Sequence, residues 1–190
     1  IEHFDVVPDI MATGKGLSSG YTPIAATVVR DEVYDTIYKK ESSFVHGHTY
    51  GGNPLSCAVA LAVQDYIATH DLAANCQRMG ERMLAGLQPL ADNPIVGAVR
   101  GKGLLTGVEF VADKQTRAPF PVERGVTAAV VDGVFARNVL IMPGAPGLVD
   151  GVAGDHIAIS PPFTVNEEQV DETVRAVVEA VEETARALGY

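Results

Sequence analysis

Apolar residues come first in short runs, then in long helical stripes, then in a mixture of the two. Ile10 to Ala12 is a run short enough for a buried strand, and Ile24 to Val29 reads the same way. Pro8 disfavours helix just ahead of the first run. Between the runs lie Gly14, Lys15, Gly16, Ser18, Ser19 and Gly20, so a lysine stands at a strand end among residues that leave room around it. Asp31 reads as the N-cap of a helix, with Glu32 in its first turn and Val33, Tyr34 and Ile37 on one face. Lys39 and Lys40 close that helix in keeping with its dipole. From Glu41 to Asn53 the chain is a loop dense in glycine and histidine. Asn53 then caps and Pro54 opens a helix that is apolar nearly all round from Leu55 to Ile67, a pattern that predicts burial. After an interruption at His70-Asp71, helical spacing resumes through Leu72, Cys76, Met79, Met83, Leu84 and Leu87 up to Pro89.

Near His70 the pattern changes, and a domain boundary is expected there, separating residues 1–69 from 70–190. Ile95 to Arg100 and Leu104 to Val111 read as paired strands with a turn at Gly101-Lys102-Gly103. Asp113 to Pro121 is a polar loop. Gly125 to Asn138 is helical, with Val126, Ala129, Val130, Val134 and Phe135 inward, and Val139 to Met142 is a short strand. A glycine- and proline-rich loop from Pro143 to Gly154 leads into a last strand, His156 to Ser160. Asn166 caps the final helix, Glu167 and Glu168 fill its first turn, and Val170, Val174, Val177, Val178 and Val181 form its buried stripe.

Composition narrows the function. With 190 residues, 47% of them hydrophobic and 20% charged, the chain is globular rather than disordered. Lys and Arg number 14 against 24 Asp and Glu, and the formal charge of −10 disfavours nucleic acid and anionic membranes as partners. An anionic cofactor stays compatible, because local dipoles and amides can hold a phosphate in an acidic protein. Cys57 and Cys76 are the only cysteines; Cys57 falls in an apolar helical run and is expected to be a small buried residue. No apolar run approaches the roughly 18 residues of a membrane span and no signal peptide is evident, so a cytoplasmic location is expected.

The candidate chemistry centres on Lys15. A lysine amine attacks a carbonyl only in its neutral form, which burial or a neighbouring cation supplies. Strand ends of α/β sheets are favoured ligand sites. A solvated surface lysine is the alternative that composition alone favours. A phosphate loop is excluded by spacing, since Gly16 rather than Ser or Thr follows the lysine. His46 and His48 supply too few ligands for a metal, and no metal site is expected.

The segment from Pro8 to Tyr21 resembles the lysine segment of the class III aminotransferases, which are fold-type-I enzymes dependent on pyridoxal phosphate (PLP). Further blocks follow in that family's order: Phe44 to Pro54, Val99 to Glu109, and Ser160-Pro161-Pro162-Phe163 before an acidic helix start. They extend over nearly the whole chain. The resemblance implies an α/β fold in which residues 1–69 are the C-terminal part of the PLP-binding large domain and residues 70–190 a small C-terminal α+β domain. It implies that Lys15 is catalytic and binds PLP as a Schiff base, passing a proton between substrate and cofactor. It implies that Thr49 is cofactor-binding, reaching the PLP phosphate of the neighbouring subunit in a homodimer with shared active sites. Substrates would be a small-molecule amine and a keto acid or aldehyde. Many relatives hold a substrate carboxylate with an arginine at the position of Ala158, and Gly147 to Asp155 contains no arginine either, which points to an ω-amine or ω-amino acid type.

The family is more than twice this length, so a separate N-terminal chain or segment is expected. It would bring the substrate-pocket aromatics, the glycine turn for the phosphate and the Asp for the pyridine nitrogen. A decarboxylase, epimerase or aminomutase on the same scaffold is a close alternative reading. A second is a truncated, non-catalytic fragment that folds or dimerises but needs an N-terminal half to bind PLP. An unrelated phosphate-binding domain does not account for four ordered blocks.

Overall fold

In the computed structural model, which describes residues 2–39, 43–145 and 147–190, Ile10–Thr13 (β1) and Ala26–Val29 (β2) pair as an antiparallel ribbon with Ile10 opposite Val29. The chain divides into two units, Ile1–His70 and Asp71–Tyr190. In the first, the apolar runs are not buried as the sequence predicts. Ile10 is 60% and Val28 51% exposed, because a two-stranded ribbon supplies no second layer to cover its faces. Helix α1 spans Asp31–Tyr38, and its N-cap is Arg30, not Asp31; Asp31 and Glu32 still put negative charge in the first turn. Arg30 Nη1 reaches Asp9 Oδ1 at 2.9 Å and so ties the start of α1 to the approach of β1. Lys40, expected to close α1, and Glu41, at the head of the next loop, lie outside the described residues.

Helix α2 spans Pro54–Thr69, capped by the Asn53 side chain accepting from the Ser56 amide at 3.1 Å. Its expected all-round burial fails too. Ala60 is its buried residue, while Leu55, Leu61 and Tyr66 are exposed. Cys57, expected to be buried, is exposed.

The second unit follows the sequence pattern closely. Asp71 adopts a left-handed backbone (φ 50°) and breaks the helical run before α3, Leu72–Leu87. Strands β3 (Val96–Lys102), β4 (Leu105–Phe110), β5 (Met142–Pro143) and β6 (Asp155–Ile159) form one antiparallel sheet in the order β3-β4-β6-β5. The hairpin turn is Gly103-Leu104, sharing Gly103 with the expected turn but starting two residues later, since Lys102 pairs with Leu105 and Gly103 supplies the positive φ of 54°. Gly101 lies within β3, where a Cβ would press on Thr106 and the Leu105 carbonyl. Helix α3 crosses this hairpin so closely that a Cβ on Gly80 would run into the Gly103 backbone.

Helix α4, Val126–Phe135, buries Val126, Val130 and Val134, an i, i+4 stripe; Ala129 and Phe135, expected inward, point to solvent. Strand β5 begins at Met142 rather than Val139. Helix α5, Glu167–Leu188, opens with a capping box in which Asn166 and Gln169 exchange hydrogen bonds. It buries Val170, Val177 and Val181, with Val174 and Val178 partly covered. Met83, Leu87, Ile95, Val108, Phe110 and Ile157 fill the space between the helices and the sheet. Arg137, just past α4, binds Glu179 and Glu183 on α5 at 2.8 and 2.6 Å, and these carboxylates raise its already high pKa.

Candidate active site

The turn after β1 is built to hold one lysine out. Gly14 is extended, and Lys15 then takes a left-handed backbone (φ 50°), which costs a residue with a Cβ about 1 kcal/mol. Lys15–Ser18 is a 3₁₀ turn closed by Leu17 N to Gly14 O and Ser19 N to Gly16 O, both 3.1 Å. Ser19 (φ 51°) and Gly20 (φ 79°) continue in left-handed conformations that bring the chain back toward β2. The Ser18 hydroxyl is buried and donates to the Thr22 carbonyl at 2.6 Å. Helix α2 holds the same segment at two points: Ser56 Oγ lies 2.9 Å from Thr22 Oγ1, and Gln64 Nε2 donates to the Leu17 carbonyl at 3.1 Å. Lys15 itself is exposed, and a Cβ at Gly16 or Gly20 would meet nothing within 4 Å, so the approach to its amine is open.

Thr49 is also exposed, at the start of a turn closed by Gly51 N to His48 O (2.9 Å) and Asn53 N to Tyr50 O (3.1 Å) just ahead of α2. The Phe44, His46 and His48 rings meet edge to face in this segment. Lys15 and Thr49 both belong to the first unit, and no hydrogen bond joins them among the described residues. Ala158 sits in β6 with Gly107 and Met142 as its cross-strand partners. It lines a cavity of about 420 Å³ on the sheet of the second unit, where Glu109 pairs with Arg117 at 2.5 Å and Arg100 at 3.6 Å. Arg100 lies within β3, not at the strand end the sequence predicts.

Residues 1–181 match the family model of the class III aminotransferases. This chain belongs to that family. The uncharacterised aminotransferase YodT of Bacillus subtilis is 40% identical over 181 residues, covering 95% of this chain and 40% of its own length. A γ-aminobutyrate transaminase (number 3, chloroplastic) of Solanum lycopersicum is 37% identical over 186 residues, covering 96% of this chain and 34% of its own length. An amine transaminase from an uncultivated Pseudomonas species, solved in its PLP-bound form, superposes with a TM-score of 0.86 at 33% identity over 96% of this chain and 40% of that one. The fold is therefore that of the PLP-dependent transaminases, and the chain spans about two fifths of the length of the relatives it matches.

The Pseudomonas neighbour holds PLP. The residues present fit it: an accessible primary amine for its aldehyde, small neighbours that leave space, and an exposed hydroxyl on Thr49 able to donate to a phosphate oxygen. The polar groups of α2 that hold the lysine turn were not singled out by pattern. Their signal was Gln64, an uncharged polar side chain eight residues after Ser56 on a mostly apolar helix, with Ala60 between them on the same face.

Proposed function

We propose that this chain carries the catalytic lysine of a PLP-dependent aminotransferase that moves an amino group between an ω-amine or ω-amino acid and a keto acid or aldehyde. The observation that carries the reading is Lys15: an exposed amine at a strand end, on a left-handed residue, in a turn held to α2, within a class III chain. Residues 1–69 belong to the large, cofactor-holding domain and residues 70–190 to the small one.

Lys15 holds the cofactor through its Nζ. When bound, the cofactor would supply an electron sink for the substrate's amine-bearing carbon. Freed from the cofactor, Lys15 Nζ would take the proton from that carbon and deliver it to the cofactor carbon to which the lysine had been joined, as base and then acid. Thr49 donates its hydroxyl to the phosphate of the other subunit's cofactor, so that a homodimer completes two sites. Ala158 leaves the last strand without a cation at its centre. What supports an ω-type substrate is this lack, together with the γ-aminobutyrate transaminase among the relatives. Two free cysteines suit a reducing, cytoplasmic setting.

Borohydride reduction of the PLP-loaded protein, followed by peptide mapping, tests the assignment. The expected result is a single label on Lys15. Label on other lysines, with Lys15 unmodified, would refute it. Light scattering of the loaded protein tests the role of Thr49: a fully active monomer excludes a hydroxyl shared across subunits.

A further inference from the structure

The proposed chemistry leaves three polar side chains beside Lys15 without a task. Ser56 and Gln64 lie eight residues apart on α2, with Ala60, the buried residue of that helix, midway between them. Residues at i, i+4 and i+8 share a helix face, and this one lies against the lysine turn. From it Gln64 Nε2 donates to the Leu17 carbonyl at 3.1 Å, and Ser56 Oγ meets Thr22 Oγ1 at 2.9 Å. The Thr22 carbonyl in turn accepts the buried Ser18 hydroxyl at 2.6 Å. The bonds therefore grip the turn just after Lys15, on both sides of its left-handed residues Ser19 and Gly20.

A residue with a Cβ stays left-handed only where its surroundings hold it there. Lys15 has φ 50°, and its Cα–Cβ bond, hence the line of its long side chain, is set by that value. Relaxation toward an ordinary helical or extended backbone would swing the amine away. On these grounds we infer that Gln64 and the Ser56–Thr22 hydroxyl pair are positioning residues for Lys15: α2 fixes the backbone from which the amine is presented to the cofactor. The inference rests on the function proposed for Lys15.

The test is the rate at which added PLP becomes fixed on Lys15 by borohydride, followed by peptide mapping, alongside the thermal midpoint of each variant. Gln64→Glu keeps the shape and removes the donor; Thr22→Val keeps the shape and removes the hydroxyl. Each is expected to slow labelling of Lys15 about fivefold, the worth of one hydrogen bond, with the thermal midpoint moved little. Thr22→Ser, which restores a hydroxyl, is expected to return the rate to that of the parent protein. Parental labelling rates in both Gln64→Glu and Thr22→Val would overturn the inference. So would slowing that Thr22→Ser fails to rescue and that tracks a fall in thermal midpoint, which would make the bonds merely structural. Label on other lysines of the parent protein, with Lys15 unmodified, is a different result: it overturns the proposed function, and the inference falls with it.

Discussion

The first unit holds the residues proposed for the chemistry and almost no core; the second holds the core and neither proposed cofactor residue. Among the described residues up to His70, Ser18 and Ala60 are the buried ones, the first within the lysine turn and the second on α2 between the two residues bonded to that turn. From Asp71 onward a continuous cluster runs from Met79 on α3 through Phe110 and Ile157 on the sheet to Val177 on α5. Yet the first unit is nearly as apolar in sequence, and Ile10, Val28, Leu55, Leu61 and Tyr66 stand exposed on its ribbon and on α2. Exposed apolar side chains in such number are what protein–protein contacts use, and on the proposed function the rest of the large domain and a second subunit would cover them. The difference teaches that an apolar pattern reports what a segment packs against in the working protein. In the second unit the partner layers belong to this chain. In the first, the layers made by this chain are a ribbon and two helices.

The strongest way to break the comparison is to remove the amine. Lys15→Ala is expected to lower turnover by about a thousandfold or more, since both cofactor attachment and proton transfer are lost. The thermal transition of the second unit should not move. A loss of activity that came with unfolding of that unit would mean the two units do not divide chemistry from stability.

A leucine pair sharpens it next. Leu87 is 0% exposed at the end of α3, and Leu87→Ala is expected to cost about 3 kcal/mol, read as a lowered denaturation midpoint. Leu61 is 64% exposed on α2, and Leu61→Ala should stay within about 0.5 kcal/mol in this chain by itself. If the proposed assembly covers this face, the same Leu61→Ala substitution should cost several times more when measured in the assembled enzyme. Equal, small costs in both settings would make α2 an ordinary solvent-facing helix.

What could be read from sequence divides along the same line. In the second unit the breaks at Asp71 and Gly103, the valine stripe of α5 and its Asn166 cap follow from local rules, and the structure keeps them. Its errors are local as well. The hairpin turn was read too early because Gly101 looked like a turn residue, when it is a strand position with no room for a Cβ. Phe135 was expected inward because it is large and apolar, but it lies off the stripe that Val126, Val130 and Val134 define. In the first unit, secondary structure was legible and burial was not, since burial depends on layers beyond the segment itself. Lys15 stood out as a candidate through its setting between two short apolar runs, and the role proposed for it came from the resemblance. The grip of Gln64 on the Leu17 carbonyl was not, because it joins residues 47 apart and leaves no periodic trace.

The smallest expected effect is electrostatic and belongs to the second unit. Arg82 on α3 grips Asp171 on α5 with two bonds of 2.7 Å and reaches Glu167 at 3.1 Å. The hydrogen bonds from Arg82 hold the Asp171 carboxyl below its usual range, and the amides of Thr116 and Gln115 do the same for Asp113. A carboxyl lowered in the folded state stabilises the fold above its unfolded pKa, near 4, and that contribution is lost as pH falls through the lower, folded value. Stability from this source should therefore be flat from neutrality to about pH 5 and decline only below about pH 4. Arg82→Ala removes the bidentate partner and should flatten that acid limb slightly, with little change at pH 7, because exposed pairs contribute weakly in water. Acid titration of the denaturation midpoint, read by a probe in the second unit, checks it. A stability loss in Arg82→Ala that is as large at pH 3 as at pH 7 would show that Arg82 acts through the packing of its alkyl stem between α3 and α5 rather than through its charge.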